Sequence, residues 1–313
     1  MRLVAAPPPR RARKPARARS GDRPVFASRS LPYLLLLPQL LIVGVFFLWP
    51  SVRVVGEAFK QTNAFGLDAR FSGLANFVAA LANGSDLQSI EVTLIFATST
   101  TVLSMAVGLL VAVQVEHTGR SRAIYRTLFV WTYAVPSAVA GAVWLFLFEP
   151  GLGPGARLLT DLGVRWNFAL NADQAMALIV ALTVWQQSAY DFLFFTAGLQ
   201  GVPDILLDAA AVDGAGRFSS FWRVTFPLLA PVTFFLLVMD FLYAFFSSFA
   251  VVDIITQGGP AGATNTLVYQ LYRDGFQNGD SGIAGAETIV LLAMAAVLTA
   301  AQFRILHRRV HYR

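Results

Sequence analysis

Six mostly apolar stretches, at 31–49, 90–115, 127–148, 175–199, 228–255 and 283–303, restrict this chain to folds that cross a membrane. Within a bilayer every backbone N–H and C=O needs a partner inside the protein, so a spanning segment is a helix or a strand of a closed barrel. A helix needs about 20 apolar residues to cross and a tilted strand only about 10, and these stretches have the helical length. The expected fold class is all-α: a polytopic membrane protein with six transmembrane helices. Composition agrees, because 56% of the residues are hydrophobic and only 13% charged. The absence of cysteine excludes disulfide and thiol chemistry.

Three parts are expected: a disordered basic tail at 1–30, a transmembrane domain at 31–303 and a second basic tail at 304–313. The first tail is too rich in Arg, Pro and Ala to bury a core. Arg10-Arg11 could open a twin-arginine signal, but the apolar stretch that follows has no small-residue cleavage site and reads as an uncleaved anchor. Pro50 is expected to end the first span. Six spans place both termini on one side, and the basic residues then choose the side. Eighteen of the 24 Lys and Arg lie in the tails, in the 116–126 loop and in the stretch between spans four and five. The other loops hold six, so both termini are expected in the cytoplasm. With most of the positive charge at one membrane face, lipid is the expected contact and nucleic acid is not.

The stretch between spans four and five, about 203–227, reads as helix, tight turn, helix. Pro203 and Asp204 suit a helix start. Leu206, Leu207, Ala210 and Ala211 share one helical face. Asp213-Gly214 breaks the helix, since Gly readily takes a positive φ. Phe218, Phe221 and Trp222 form a second apolar face, and Pro227 marks entry to the next span. The shape alone also fits an ordinary interfacial helix.

The sequence lacks the machinery of an enzyme. There is no phosphate-binding GxxxxGK[ST], and the only lysines are Lys14 and Lys60. His117, His307 and His311 have no metal-ligand spacing, so no metal is expected. Chemistry at membrane depth falls to two acids. Asp191 lies in WQQSAYDF near the middle of span four, beside Gln186 and Tyr190. Asp240 lies in span five, on one face with Tyr243 and Ser247. Such groups face a bundle interior or a water-filled path. These six residues are candidates for a solute path, with hydrogen bonding between helices as the alternative.

Asp208-Ala209-Ala210, then Gly214, then Val224-Thr225-Phe226-Pro227 resemble the "EAA" loop of ABC-importer permeases, with Asp208, Val224 and Phe226 replacing Glu, Ile and Leu. Four further segments extend the resemblance over nearly everything from Arg23 onward: RPVFASRSLPYLLLLPQLLIVGVFFLWP, YAVPSAVAGAVWLFLFEPG, WQQSAYDFLFFTAGLQ and GGPAGATNTLVYQLYRDGF. Together they are similar to the carbohydrate-uptake (maltose-type) permeases, and within them to the A-type permeases of sn-glycerol-3-phosphate importers.

The resemblance implies a non-catalytic permease of the bacterial inner membrane, moving glycerol-3-phosphate or glycerophosphodiesters by alternating access. A neutral sugar is the alternative solute, and an ion-coupled secondary transporter the alternative class. It implies a second permease as heterodimer partner, two ATPase subunits that bind ATP and Mg, and an external substrate-binding protein. Asp208, Ala209, Ala210, Asp213, Gly214, Phe218, Phe221, Trp222 and Pro227 would couple to the ATPase. With two Asp and no Lys or Arg at mid-membrane, a choline-bearing phosphodiester is expected to suit the path better than a phosphate monoester.

Overall fold

The computed structural model describes residues 31–62, 69–116 and 122–306. The tail at 1–30, the tail beyond Leu306, and His117 and Arg120 lie outside the described residues. Two compact units divide at Ser51. In the first, α1 (Leu31–Val43) passes through a π-helical turn, Gly44–Leu48, into α2 (Trp49–Ala58). Pro50 therefore does not end the first span, contrary to expectation. Proline lacks an N–H and its ring crowds the carbonyl four residues back. The wider turn before it, closed by Trp49 N–H on Gly44 O, takes up that offset.

The second unit begins at Val52, within α2, and continues with a short antiparallel ribbon, β1 (Lys60–Thr62) and β2 (Ala69–Phe71), paired Lys60 to Phe71. The helix α3 (Ala75–Ala82) precedes α4 (Gly84–Glu116), which starts before the expected span. The third span is not one straight helix. It consists of α5 (Arg122–Val130), a 3-10 turn (Trp131–Ala134) and α6 (Ser137–Phe148), bent by 97°. Pro136 cannot donate into a helix and holds Val135 extended at ψ 122°, so the chain turns there.

After α7 (Pro154–Asp161), α8 (Ala172–Gln200) runs unbroken, its first turn capped by Asn171, whose side-chain oxygen accepts from Gln174 N–H. The elbow comprises α9 (Asp204–Val212), α10 (Arg217–Ser220), a π turn (Phe221–Thr225) and α11 (Phe226–Leu228). The fifth span is α12 (Ala230–Ser247), interrupted at Ser248 before α13 (Phe249–Ile255). The chain continues through α14 (Leu267–Tyr272) to α15 (Ser281–Leu306). Among the described residues five helices are long and apolar enough to cross a membrane, six when the bent pair counts as one span.

Helices α4 and α8 run side by side in the same direction, and α12 crosses back against both. Two apolar cores form between them. One, away from the elbow, gathers Phe96, Ile179, Leu182, Phe245, Val252 and Leu267. The other, beside the elbow, gathers Ala112, Val115, Phe192, Phe195, Leu229 and Leu236. Closeness of α4 and α8 depends on Gly108: a Cβ built there would lie 2.5 Å from Asp191 Cβ and 3.0 Å from Ser188 O. Small residues let membrane helices approach in this way. The 256–266 loop is pinned to α4 by Leu267 N–H on Thr93 Oγ1 (2.8 Å) and Asn265 Nδ2 on Ser89 Oγ (3.0 Å).

Gly108→Leu should overpack this seam and cost about 1–3 kcal/mol. A lowered unfolding midpoint of the purified protein would show it. Gly56→Ala, where an added Cβ meets nothing within 4 Å, should leave the midpoint unchanged or raise it.

Candidate functional site

The elbow is closed by its own backbone. Helix α9 ends at Val212 with Asp213 as its C-cap, and Gly214 takes φ +80°. Gly214 N–H reaches Ala211 O (3.0 Å) and Ala215 N–H reaches Ala210 O (2.9 Å), the paired bonds of a Schellman motif. The breaking role expected for Asp213-Gly214 follows from this geometry. The aromatics of the second arm pack on one another: Phe221 and Trp222 have ring centroids 5.3 Å apart, Phe218 and Trp222 6.2 Å, and Trp222 and Phe226 4.9 Å.

The elbow's own residues hardly bury one another. Asp208, Ala209, Asp213, Gly214 and Pro227 are exposed, with Ala210 and Phe221 half-buried. Large apolar side chains remain in the open, with Ile205 74%, Val212 88% and Phe218 78% exposed. A helix–turn–helix that is rigid, aromatic and uncovered is suited to seat in the groove of another protein.

The mid-membrane candidates divide into two groups. Asp240 is 2% exposed and lies between the two apolar cores. Its Oδ1 accepts from Gln187 Nε2 (2.8 Å) and its Oδ2 from Ser104 Oγ (3.4 Å), joining α12 to α8 and α4. Asp191 is fully buried, and its carboxyl lies beside Asp240 and Ser104. The contacts of Asp240 have the form of the hydrogen bonding between helices that stood as the alternative, whereas the buried oxygens of Asp191 have no hydrogen-bond partner. Neither carboxyl reaches a surface, so neither presents the open anionic face on which the expected preference for a choline group depended. Ser104 and Gln187 were not singled out from the sequence, because uncharged residues on separate spans carry no mark of pairing.

The second group surrounds the break in the third span. The break leaves Val135 O without a helical donor, and Gln186 Nε2 supplies one at 2.8 Å. On the far side, Ser137 Oγ and Tyr243 Oη are 3.3 Å apart. Tyr190 lies against Tyr133 (5.7 Å) and Phe194 (4.7 Å). Gln186, Tyr190 and Tyr243, from two different spans, thus meet at the same irregular backbone, where the sequence predicts continuous helix. Ser247 is exposed farther along α12.

A family model described as "binding-protein-dependent transport system inner membrane component" matches residues 104–312. The chain is 47% identical over 287 residues to the sn-glycerol-3-phosphate transport system permease protein UgpA of Brucella abortus, covering 92% of this chain and 98% of that protein. It is 47% identical over 291 residues to the protein of the same name from Rhizobium meliloti, with 93% and 99% covered. Among solved structures it is similar to a bacterial ABC transporter involved in import of the acidic polysaccharide alginate, at TM-score 0.78 and 20% identity, covering 89% of this chain and 95% of that one.

If Asp240 chiefly joins helices, shape and hydrogen bonding should matter more than charge. Asp240→Ala strands the Gln187 amide in an apolar setting, while Ser104 keeps Thr101 O as acceptor (3.2 Å), and should cost about 1–3 kcal/mol. Asp240→Asn keeps an acceptor for Gln187 and should hold both the unfolding midpoint and uptake near those of the unmodified protein.

Proposed function

Since the chain belongs to the binding-protein-dependent transport system inner membrane components, we propose that its solute is sn-glycerol-3-phosphate and that the elbow is where ATP-driven motion enters. The chain is a permease subunit of an ABC importer in the inner membrane. One observation carries the coupling role: an elbow fixed by its own Schellman turn, whose apolar face is left uncovered by its neighbours within the elbow. The solute follows from near-full-length identity to glycerol-3-phosphate permeases.

The working assembly would comprise this chain, a second permease, two ATPase subunits and an external binding protein. The ATPases bind ATP and Mg, and this chain contributes no catalytic group. Charge bias favours termini and elbow in the cytoplasm. ATP binding draws the two ATPases together, and each elbow moves with its groove. The permease pair then opens outward to receive solute from the binding protein, and hydrolysis resets it.

Within this chain the solute path is best placed along the break of the third span. Non-helical backbone at membrane depth occurs where protein buries it or where it borders a water-filled cavity. Gln186, Tyr190 and Tyr243 would contribute amide and phenol groups to the path, with Ser247 farther along it. Asp240 would act behind them by holding α4, α8 and α12 together, with Asp191 buried beside it.

ATP hydrolysis by the assembly purified from native membranes tests the solute. Addition of binding protein with glycerol-3-phosphate should raise the rate, while binding protein with maltose should not. Stimulation by maltose or by glycerophosphocholine alone would reassign the solute, and no stimulated hydrolysis at all would remove the importer mechanism. For coupling, Gly214→Val puts a β-branched side chain at φ +80°. It should leave membrane insertion intact and reduce uptake to background; normal uptake would refute the elbow's role.

A further inference from the structure

At the end of the bundle opposite the elbow, three carboxylates from separate parts of the chain converge. Asp86 lies in the first turn of α4, Asp274 follows α14, and Glu287 lies in the second turn of α15. One oxygen of each lies within 4.8 Å of the others. An acidic cluster alone is no evidence of a ligand, but Glu287 adds an independent observation. It is 0% exposed, directed into the cluster, and neither of its oxygens has a hydrogen-bond partner. A fully buried carboxyl with no donor is costly unless something else meets it.

The surrounding side chains hold the other two acids in position. Asp86 Oδ1 receives Ser85 Oγ (3.1 Å), Asn83 Nδ2 (3.5 Å) and Gln270 Nε2 (3.2 Å), while its buried Oδ2 receives nothing. Gln270 Nε2 also donates to Asp274 Oδ2 (2.7 Å), and Asn278 Nδ2 donates to Asp274 Oδ1 (2.7 Å). Gln270 is itself oriented by Asn265, whose Nδ2 donates to Gln270 Oε1 at 2.6 Å. This is an outer layer of amides that fixes the acids without neutralising them, in the way outer partners orient metal ligands. The free oxygens, Asp86 Oδ2 and both of Glu287, converge from two different helices.

We propose that Asp86, Asp274 and Glu287 bind a divalent cation, Ca²⁺ in preference to Mg²⁺. All the available ligands are hard oxygens, as both ions require. Three carboxylates from unconnected segments give an irregular, carboxylate-rich shell that suits Ca²⁺, whereas Mg²⁺ needs near-octahedral geometry and keeps most of its water. With the elbow inside the cell, the site lies on the outer side. Its role would be to tie the start of α4 to the start of α15 and to the segment after α14, steadying the outer loops. The sequence gives no hint of it, because the ligands come from three distant segments.

The test uses the assembled complex in nanodiscs of neutral phosphatidylcholine, without nucleotide and stripped with EDTA. Radioactive calcium is titrated in and bound metal counted per copy of this chain. One ion should bind, with a dissociation constant of about 10⁻³ M or tighter, and Mg²⁺ should compete only at higher concentration. Glu287→Gln, which keeps shape and loses charge, should weaken binding at least ~tenfold. Asp274→Asn, near the surface, should do the same and serves as the second variant if Glu287→Gln does not assemble. No saturable binding by the unmodified complex would overturn the proposal and leave shared protons to account for the cluster. Binding that is equal in the unmodified complex and the variants would place the ion elsewhere and overturn it too.

Discussion

Backbone polar groups at membrane depth must be bonded within the protein, and much of this molecule follows from that requirement. Long helices satisfy it automatically, which is why α4, α8, α12 and α15 run without apology to local propensity. The requirement becomes demanding at Val135-Pro136, where the third span breaks. There the freed Val135 carbonyl is met by Gln186, and Ser137 is paired with Tyr243. The break can exist because α8 and α12 carry polar side chains at the matching depth.

A related economy governs the middle of the bundle. A carboxylate between two apolar cores would destabilise the fold if left alone, yet Asp240 has a donor for each oxygen. Those donors come from α8 and α4, so satisfying the charge fixes the relative depth of three helices. Gly108 lets α4 lie close against α8 at Ser188 and Asp191. Apolar packing tolerates small slips along a helix, whereas a hydrogen bond does not. The polar layer therefore sets register, and the flanking cores supply cohesion.

Much of this was legible in the sequence wherever the signal was local. The presence and order of the long apolar helices, the Gly214 turn and the aromatic arm of the elbow depend on near neighbours and emerged as expected. The features that escaped are those that depend on distant partners. Pro50 looked like a terminator because the π turn upstream that accommodates it has no sequence mark. The 127–148 stretch reads as one helix because the residue that compensates the break at Pro136, Gln186, lies fifty residues away. Asp191 and Asp240 were found by the cost of charge in a bilayer, but the sequence could not say whether that cost is met by water or by a neighbouring helix. Glu287 would have emerged by the same rule had it not sat near the start of its span, where an acid passes for interfacial.

The uninterrupted course of α8 has a mechanical consequence. Its 29 residues, Ala172–Gln200, contain no proline and no break before the elbow. At 1.5 Å per residue it is a rod of about 43 Å, hinged to the elbow by only the few residues 201–203. A rod transmits tilt with gain: a rotation of about 10° at one end displaces the other by about 7 Å. The broken third span, lying against α8 partway along, would be carried through a fraction of that arc. If motion enters at the elbow as proposed, a small stroke at the membrane surface would become a lateral shift of molecular size at the opposite face, with α8 as lever and the kinked segment as the part that yields.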